Sequence, residues 1–458
     1  MGIGGTGMVA GARLAIEAGW EVRGSDNPLY PPTSDMVKTL GCPVYEPYAA
    51  SNLDWNPDIV VIGNAMSRGN EEVEAVLDRG LHYVSFPEWI KDALLRNRKP
   101  VVISGTHGKT TTTAITAHVL HKCGLHPGYL IGGQPLGFKH SATPGSEGFP
   151  FAIEGDEYDT AFFDKRAKFL HYLPHIAVVT SLEYDHADIY ESIEAIELAF
   201  QRLLRQIPST GHLILCGDDP RVLKLRDHAL CNIHTYGTQK DCDWVLSDVV
   251  INDGQQTCTV THKGQHWGTF SSQLFGVHNM KNCLTCIISA TLFGASPDAI
   301  QEALASFSGI KRRLETFHTS QDTIFIDDFA HHPTALYETI GAVRKRWPDK
   351  YLTVCFEPRS NTTATNMFQK ELGRCFIDAN EVWIGPIFRA EKYAPDVILD
   401  RQQLAEDIAA SGSTQAYLAD PKEIVSHLKE TLPQQEIVLF CSNGAFGGIY
   451  AQVKDNIA

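Results

Sequence analysis

The stretch Val101–Thr113 constrains this chain more than any other. The apolar run Val101-Val102-Ile103-Ser104 meets a small turn, Gly105-Thr106-His107-Gly108. Lys109 and Thr110 to Thr113 then open a helix that runs to about Lys122. A strand that ends in small residues and feeds a helix belongs to an α/β layer, with the turn at the C-terminal edge of the sheet. Such a turn is also an anion site. Small residues let the backbone approach phosphate oxygens, and the N–H groups of the helix start point at them. Lys109 can reach the β- and γ-phosphates there, and the Thr110 hydroxyl can bind Mg²⁺. The spacing is shorter than that of the common phosphate loop, which would place a glycine where Ile103 stands.

The 458 residues leave room for about three domains. With 43% hydrophobic and 20% charged residues, the chain can build several cores and is not disordered. A net charge of −15 argues against nucleic acid or an anionic membrane as the main partner. An anionic substrate must then be held by local lysines, arginines and helix N-termini. The eleven cysteines show no framework spacing and read as free thiols of a cytosolic protein. The pair Cys283-Leu284-Thr285-Cys286 lies in the apolar stretch Cys283–Phe293, a buried helix rather than a metal knuckle. No apolar run reaches the ~18 residues of a membrane span.

Residues 1–98 alternate strands and helices. Gly2-x-Gly4-Gly5-Thr6-Gly7 opens a helix over Val9–Ala18, and Glu21-Val22-Arg23 reads as a strand ending in Gly24-Ser25-Asp26. Asp58–Ile62 is a second buried strand, ending in Gly63-Asn64-Ala65. A glycine turn of this type should follow a strand, yet here it starts at residue 2, so the first strand is expected to be truncated or absent. A polar hinge, Arg96–Pro100, leads to a second block, 99–313, with strands at Phe151–Ile153, Ile176–Thr180 and His212–Cys216. Pro127–Gly148 reads as a functional or mobile loop. A third block, 314–458, has strands at Asp322–Ile326, Tyr351–Phe356, Glu381–Gly385 and Glu436–Cys441.

Several polar groups follow strands. In Glu154-Gly155-Asp156-Glu157-Tyr158-Asp159, carboxylates at a strand end suit a hard cation beside the phosphate loop. In Glu183-Tyr184-Asp185-His186, His186 is placed to hold a second metal with Asp185 as its orienting partner. Asn279 and Asn282 share one face of a helix start, where Asn279 reads either as an N-cap or as an amide for a base edge. Lys311-Arg312-Arg313 is either a solvated linker or the source of an arginine that meets the γ-phosphate. Ile326-Asp327-Asp328 with His331-His332-Pro333 is a further polar strand end.

Taken in this order, these motifs resemble the Mur ligase family, across essentially the whole chain. The resemblance implies three α/β domains: an N-terminal Rossmann-like UDP-binding domain, a central P-loop ATPase-like domain and a C-terminal Rossmann-like domain. It implies a cytoplasmic enzyme of peptidoglycan synthesis that uses ATP and Mg²⁺ to make an amide bond. Lys109, Glu154, His186 and Arg313 are then catalytic, with Thr110, Glu154 and His186 on metal. ATP would lie on Gly105, Thr106, His107, Gly108, Lys109, Thr110 and Thr111, with Asn279, Asn282, Arg313 and Asp328. The UDP-sugar would lie on Gly4, Gly5, Thr6, Gly7, Ser25, Asp26, Asn64 and Ala65. The acceptor would meet His331, Arg359, Ser360, Asn361 and Thr362.

Within the family, Ser25-Asp26, Tyr30-Pro31-Pro32, Gly63–Asn70, Phe162–Arg166 and Phe356–Thr362 resemble the branch that joins UDP-N-acetylmuramate to a wall tripeptide, with the L-alanine-adding branch as the alternative. Many family members carry a carbamylated lysine some fifteen residues past the metal histidine. Glu197–Arg205 contains no lysine, which agrees with either muramate-using branch. The Gly4–Gly7 turn and Asp26 alone would also suit a nicotinamide dehydrogenase, and the phosphate loop alone a nucleotide-gated binding module. Oligomeric state, monomer or dimer, is left open.

Overall fold

The structure is a computed structural model. It describes residues 1–457 except 31–32, 186–188, 253, 413 and 433–435. Two parallel-strand sheets dominate it. The central sheet runs Gln265–Ser272, Gln255–His262, Trp244–Asn252, Asn232–Gly237, His212–Cys216, Ile176–Val179, Lys99–Ser104, Pro150–Gly155, Gly128–Leu130 and Ala142–Thr143. Its middle is parallel and covered on both faces, which is why Val101–Ile103, Phe151–Ile153 and Ile176–Val179 are unbroken, fully buried apolar runs. Its two edges are antiparallel and carry mixed sequences. The helices Lys109–Lys122 and Val277–Leu292 pack together on it. Pro127–Gly148 is therefore not a plain loop, since it supplies two short edge strands.

The C-terminal sheet runs Glu315–Ser320, Thr323–Asp328, Ile437–Cys441, Leu352–Phe356, Glu381–Ile384 and Gln415–Leu418, parallel except for the first pair. Separate apolar clusters around Ile340 and around Phe440 cover its two faces.

The N-terminal region has two small parallel pairs, Gly24–Ser25 with Val44–Tyr45 and Val60–Ile62 with Tyr83–Ser85. Met1–Ile3 lies between them. Gly2 N and Ile3 N donate to Ser25 O at 2.9 and 3.1 Å, Met1 N donates to Val61 O at 2.8 Å, and Gly63 N donates to Met1 O at 3.2 Å. The first three residues thus bridge the two pairs before the helix Thr6–Glu17 begins. Ala10, Leu14, Trp89 and Ile90 share one apolar cluster with the central sheet. The C-terminal sheet meets the rest through Phe275 against Trp347 and through polar contacts of Glu183 and Asp185.

Candidate active site

A cavity of about 1460 Å³ opens where the C-terminal ends of these strands converge. Gly4 to Gly7 line one side, the phosphate loop lines the floor, and Arg313, Asp328 and His331 line the far side. The strand Lys99–Ser104 and the helix Lys109–Lys122 leave Gly105 and Gly108 with φ of +128° and +82°. Side chains there would also collide: a Cβ at Gly105 meets Thr180 Oγ1, and one at Gly108 lies 2.7 Å from Asn282 Oδ1. Both positions therefore require glycine twice over.

Lys109 Nζ donates to Gly105 O and to both oxygens of Glu157, each at 2.8 Å. Burial disfavours its charge, but Glu157 and Asp156 outweigh this and hold its pKa above the usual value. The pairing answers a different question from the one the sequence poses: in this state the lysine neutralises a buried carboxylate. Beside it, Lys168 Nζ donates to Asp156 Oδ2 at 2.7 Å, and both residues line the cavity. Glu157 belongs to the carboxylate run read from the sequence as suited to a cation, whereas Lys168, just past the strand Asp164–Ala167, was not singled out.

Glu154 sits at the end of that strand. Its Oε2 accepts from Thr110 Oγ1 at 3.0 Å, and its Oε1 accepts from Gly132 N. Burial pushes its pKa up, which marks a carboxylate poised to gain from a cation. Thr110 and Glu154 thus offer the oxygen donors that Mg²⁺ prefers, next to the phosphate-loop N–H groups. His186, the other expected ligand, lies outside the described residues. Its neighbour Asp185 accepts from Thr362 Oγ1 at 2.6 Å, a link to the C-terminal sheet.

The asparagines sit on the helix Val277–Leu292, whose N-cap is Gly276, so Asn279 is not a cap. Asn279 Nδ2 donates to Phe275 O at 2.9 Å, and its Oδ1 accepts from Asn282 Nδ2 at 3.3 Å. The pair buttresses the phosphate loop through the Gly108 contact. The two arginines divide their work. Arg312 is tied to Asp327 Oδ2 at 3.0 Å and to the carbonyls of Ser442 and Gly444, whereas Arg313 stacks on Phe329 and faces the cavity. Asp328 lines the cavity too, but its oxygens accept from Leu314 N at 2.7 Å and Ala330 N at 2.8 Å, which knots the entry to the third domain.

At the N-terminal side of the cavity, Asp26 accepts from Gly4 N at 2.7 Å and from Tyr48 OH at 2.9 Å. The carboxylate that a dinucleotide enzyme would give to a ribose is engaged in shaping the glycine turn. Asn64 Nδ2 donates to Asp159 Oδ1 at 3.2 Å, and Ala65 lines the cavity beside it. The Ser25 hydroxyl turns inward and donates to Glu72 Oε1 at 2.5 Å.

The residues expected at the acceptor are not all brought to the cavity. His331 lines the cavity, but Arg359 to Thr362 do not. The Arg359 guanidinium lies 3.5 Å from the centre of the Phe388 ring and 3.6 Å from Glu357 Oε1. Ser360 bonds Thr363, and Asn361 Oδ1 accepts from Tyr393 OH at 3.0 Å, so these side chains hold their own loop together.

Comparison with known proteins decides the family. Residues 1–98 match the Mur ligase family catalytic domain, 103–290 the Mur ligase middle domain and 312–444 the Mur ligase glutamate ligase domain. This chain is a Mur ligase. As a Mur ligase it is an ATP-dependent enzyme that forms amide bonds. It is 36% identical to the UDP-N-acetylmuramate–L-alanyl-γ-D-glutamyl-meso-2,6-diaminoheptandioate ligase of Escherichia coli K12, covering 100% of this chain and 97% of that one. It is 32% identical to a UDP-N-acetylmuramate–L-alanine ligase of Chlorobium phaeobacteroides, covering 100% and 96%. The crystal structure of a murein peptide ligase from Psychrobacter arcticus is 33% identical, with a TM-score of 0.71 over 100% of this chain and 97% of that one. The eleven cysteines of this Mur ligase are free thiols, and burial pushes Cys283 up to about 12, so the CxxC pair is helix core. Among the described residues no helix is long and apolar enough to cross a membrane.

Proposed function

We propose that this ligase joins UDP-N-acetylmuramate to the tripeptide L-alanyl-γ-D-glutamyl-meso-diaminopimelate in the cytoplasm, in the recycling of murein. The observation that carries this reading is the single cavity, in which the phosphate loop lies between the Gly4–Gly7 turn and the C-terminal domain. A donor with a diphosphate, the γ-phosphate of ATP and an amine acceptor can meet there in line.

The lactyl carboxylate of the donor attacks the γ-phosphate of ATP, the bond to the β-phosphate breaks, ADP leaves, and the carboxylate becomes an acyl phosphate. The L-alanine amine of the tripeptide then attacks the acyl carbon, and phosphate leaves from the tetrahedral intermediate. Such chemistry depends on positioning and on charge stabilisation. Lys109 exchanges Glu157 for the β- and γ-phosphates, and the N–H groups after Gly108 cradle them. Arg313 faces the transferred group from the other wall. Thr110 and Glu154 would hold Mg²⁺, which when bound would neutralise phosphate charge. Asn279 and Asn282 keep the loop in shape, and Asp26 fixes the turn that receives the donor diphosphate.

Mass spectrometry of the products tests this. With UDP-N-acetylmuramate, ATP and Mg²⁺, the tripeptide is expected to be joined far faster than L-alanine. Comparable kcat/KM for the two acceptors would move the enzyme to the L-alanine-adding branch, the second reading, which its 32% identity to a ligase of that name keeps open.

A further inference from the structure

Three metal-ligating side chains meet where the phosphate loop touches the C-terminal domain, and the ligase reaction leaves them unused. His107 Nε2 lies 3.2 Å from Glu183 Oε2, His332 Nδ1 lies 3.4 Å from the same oxygen, and the three atoms fall within 4.8 Å of one another. Ligands of a tetrahedral zinc, at ~2.0–2.2 Å from the metal, stand about 3.3 Å apart.

The hydrogen bonds leave a misfit at this point. Thr334 N donates to His332 Nδ1 at 3.3 Å, which makes this nitrogen an acceptor, and a carboxylate oxygen of Glu183 lies 3.4 Å from it. His332 Nε2 is buried and has no hydrogen-bond partner among the described residues. Thr334 Oγ1 donates to Glu183 Oε2 at 2.7 Å and holds the carboxylate in place. Two acceptors facing each other across 3.4 Å are what a shared cation would resolve.

We propose that His107, Glu183 and His332 form a site for a divalent transition metal of the zinc class, with its fourth position open. Two imidazoles and one carboxylate favour such an ion over Mg²⁺, which prefers oxygen alone, so the site is chemically distinct from Thr110 and Glu154. Its ligands come from the phosphate loop, from the segment after the strand Ile176–Val179 and from the N-cap of the helix Pro333–Arg346. A bound ion therefore clamps the central domain to the C-terminal one and slows any turnover that needs them to part.

Co²⁺ is the probe, added to the whole protein without nucleotide or UDP-sugar. One equivalent per chain is expected to give the visible bands of a four- or five-coordinate site. His332→Ala and Glu183→Gln should weaken binding by at least ~10²-fold, beyond the 10–100-fold of a lost outer-shell partner. His107→Asn, on a loop, serves if either of these does not fold. Thr110→Ala should keep the bands. Zn²⁺ should raise the melting temperature of the wild type and not of His332→Ala, and its inhibition of turnover should persist as Mg²⁺ is raised. Bands that survive in His332→Ala, bands lost in Thr110→Ala, or inhibition relieved by Mg²⁺ would overturn the site. Because binding is read without substrates, failure here leaves the ligase assignment standing.

Discussion

Lys109 carries two jobs that a single substitution separates. Its ammonium neutralises Glu157, whose side chain is only 4% exposed, and it must leave that partner to serve phosphate. The sequence alone suggests that Lys109→Ala would cost turnover and spare the fold. The buried pair says otherwise, since removing one partner of such a pair costs ~3–5 kcal/mol. Lys109→Ala is expected to lower turnover by at least ~10²-fold and also to lower the melting temperature. Adding Glu157→Gln should restore the melting temperature and not the turnover, and a calorimetric scan beside a phosphate-release assay reads both. A Lys109→Ala enzyme that melts like wild type would show that Glu157 is satisfied elsewhere. At Glu154 the expected effect is on metal dependence. Glu154→Ala should shift the Mg²⁺ titration of turnover to higher concentration, and superimposable titrations for wild type and variant would remove Glu154 from the cation site.

At the scale of elements, the helix Lys109–Lys122 is anchored at its far end by His118. Its Nε2 lies 2.9 Å from Ser306 Oγ and 3.1 Å from Ala303 O. Burial lowers the His118 pKa to about 4, so the folded state prefers the neutral ring. Stability from this group is full above the unfolded-state pKa of about 6.5 and is lost as pH falls towards 4. After allowance for partial exposure the loss is roughly 1–2 kcal/mol. Urea melts at pH 7 and pH 5 should therefore differ less for His118→Gln than for wild type.

The phosphate loop and the inner parallel strands were legible because burial on both faces demands apolar runs, and phosphate demands glycine and lysine. The outer strands Trp244–Asn252, Gln255–His262 and Gln265–Ser272 were not. Exposed positions such as Gln265 and His266 break their pattern. Residues whose type states a task, Lys109, Thr110 and Glu154, are brought together at one cavity. The site was illegible where the task is a choice of partner in space. Ser25 follows a strand as a ligand residue should, yet the buried Glu72 claims its hydroxyl. Arg359 sits at a strand end as a substrate arginine should, yet Phe388 claims its face.

Across the whole molecule, the distribution of apolar contact is uneven. One cluster runs from Ala10 through the central sheet to Ile310, two smaller ones around Val60 and Val9 keep their buried residues within 1–98, and the C-terminal sheet keeps clusters of its own. Unfolding without ligands is expected in two steps, the C-terminal domain apart from a joint unit of the other two. Hydrogen exchange followed by mass spectrometry along a urea series would read this, and a single coincident transition for all peptides would contradict it.

That unevenness also bears on how such enzymes diversify. Residues 1–98 and the central domain share part of their interior through Ala10, Leu14, Trp89 and Ile90, so neither can be exchanged singly without opening a void there. The C-terminal domain touches the rest through Phe275 and a few polar groups such as Thr334 and Thr362. A lineage could therefore trade acceptors by recombination at the Arg313–Leu314 junction, leaving the phosphate-transferring engine untouched. A chimera with the C-terminal domain of an L-alanine-adding relative should fold, release phosphate and accept L-alanine.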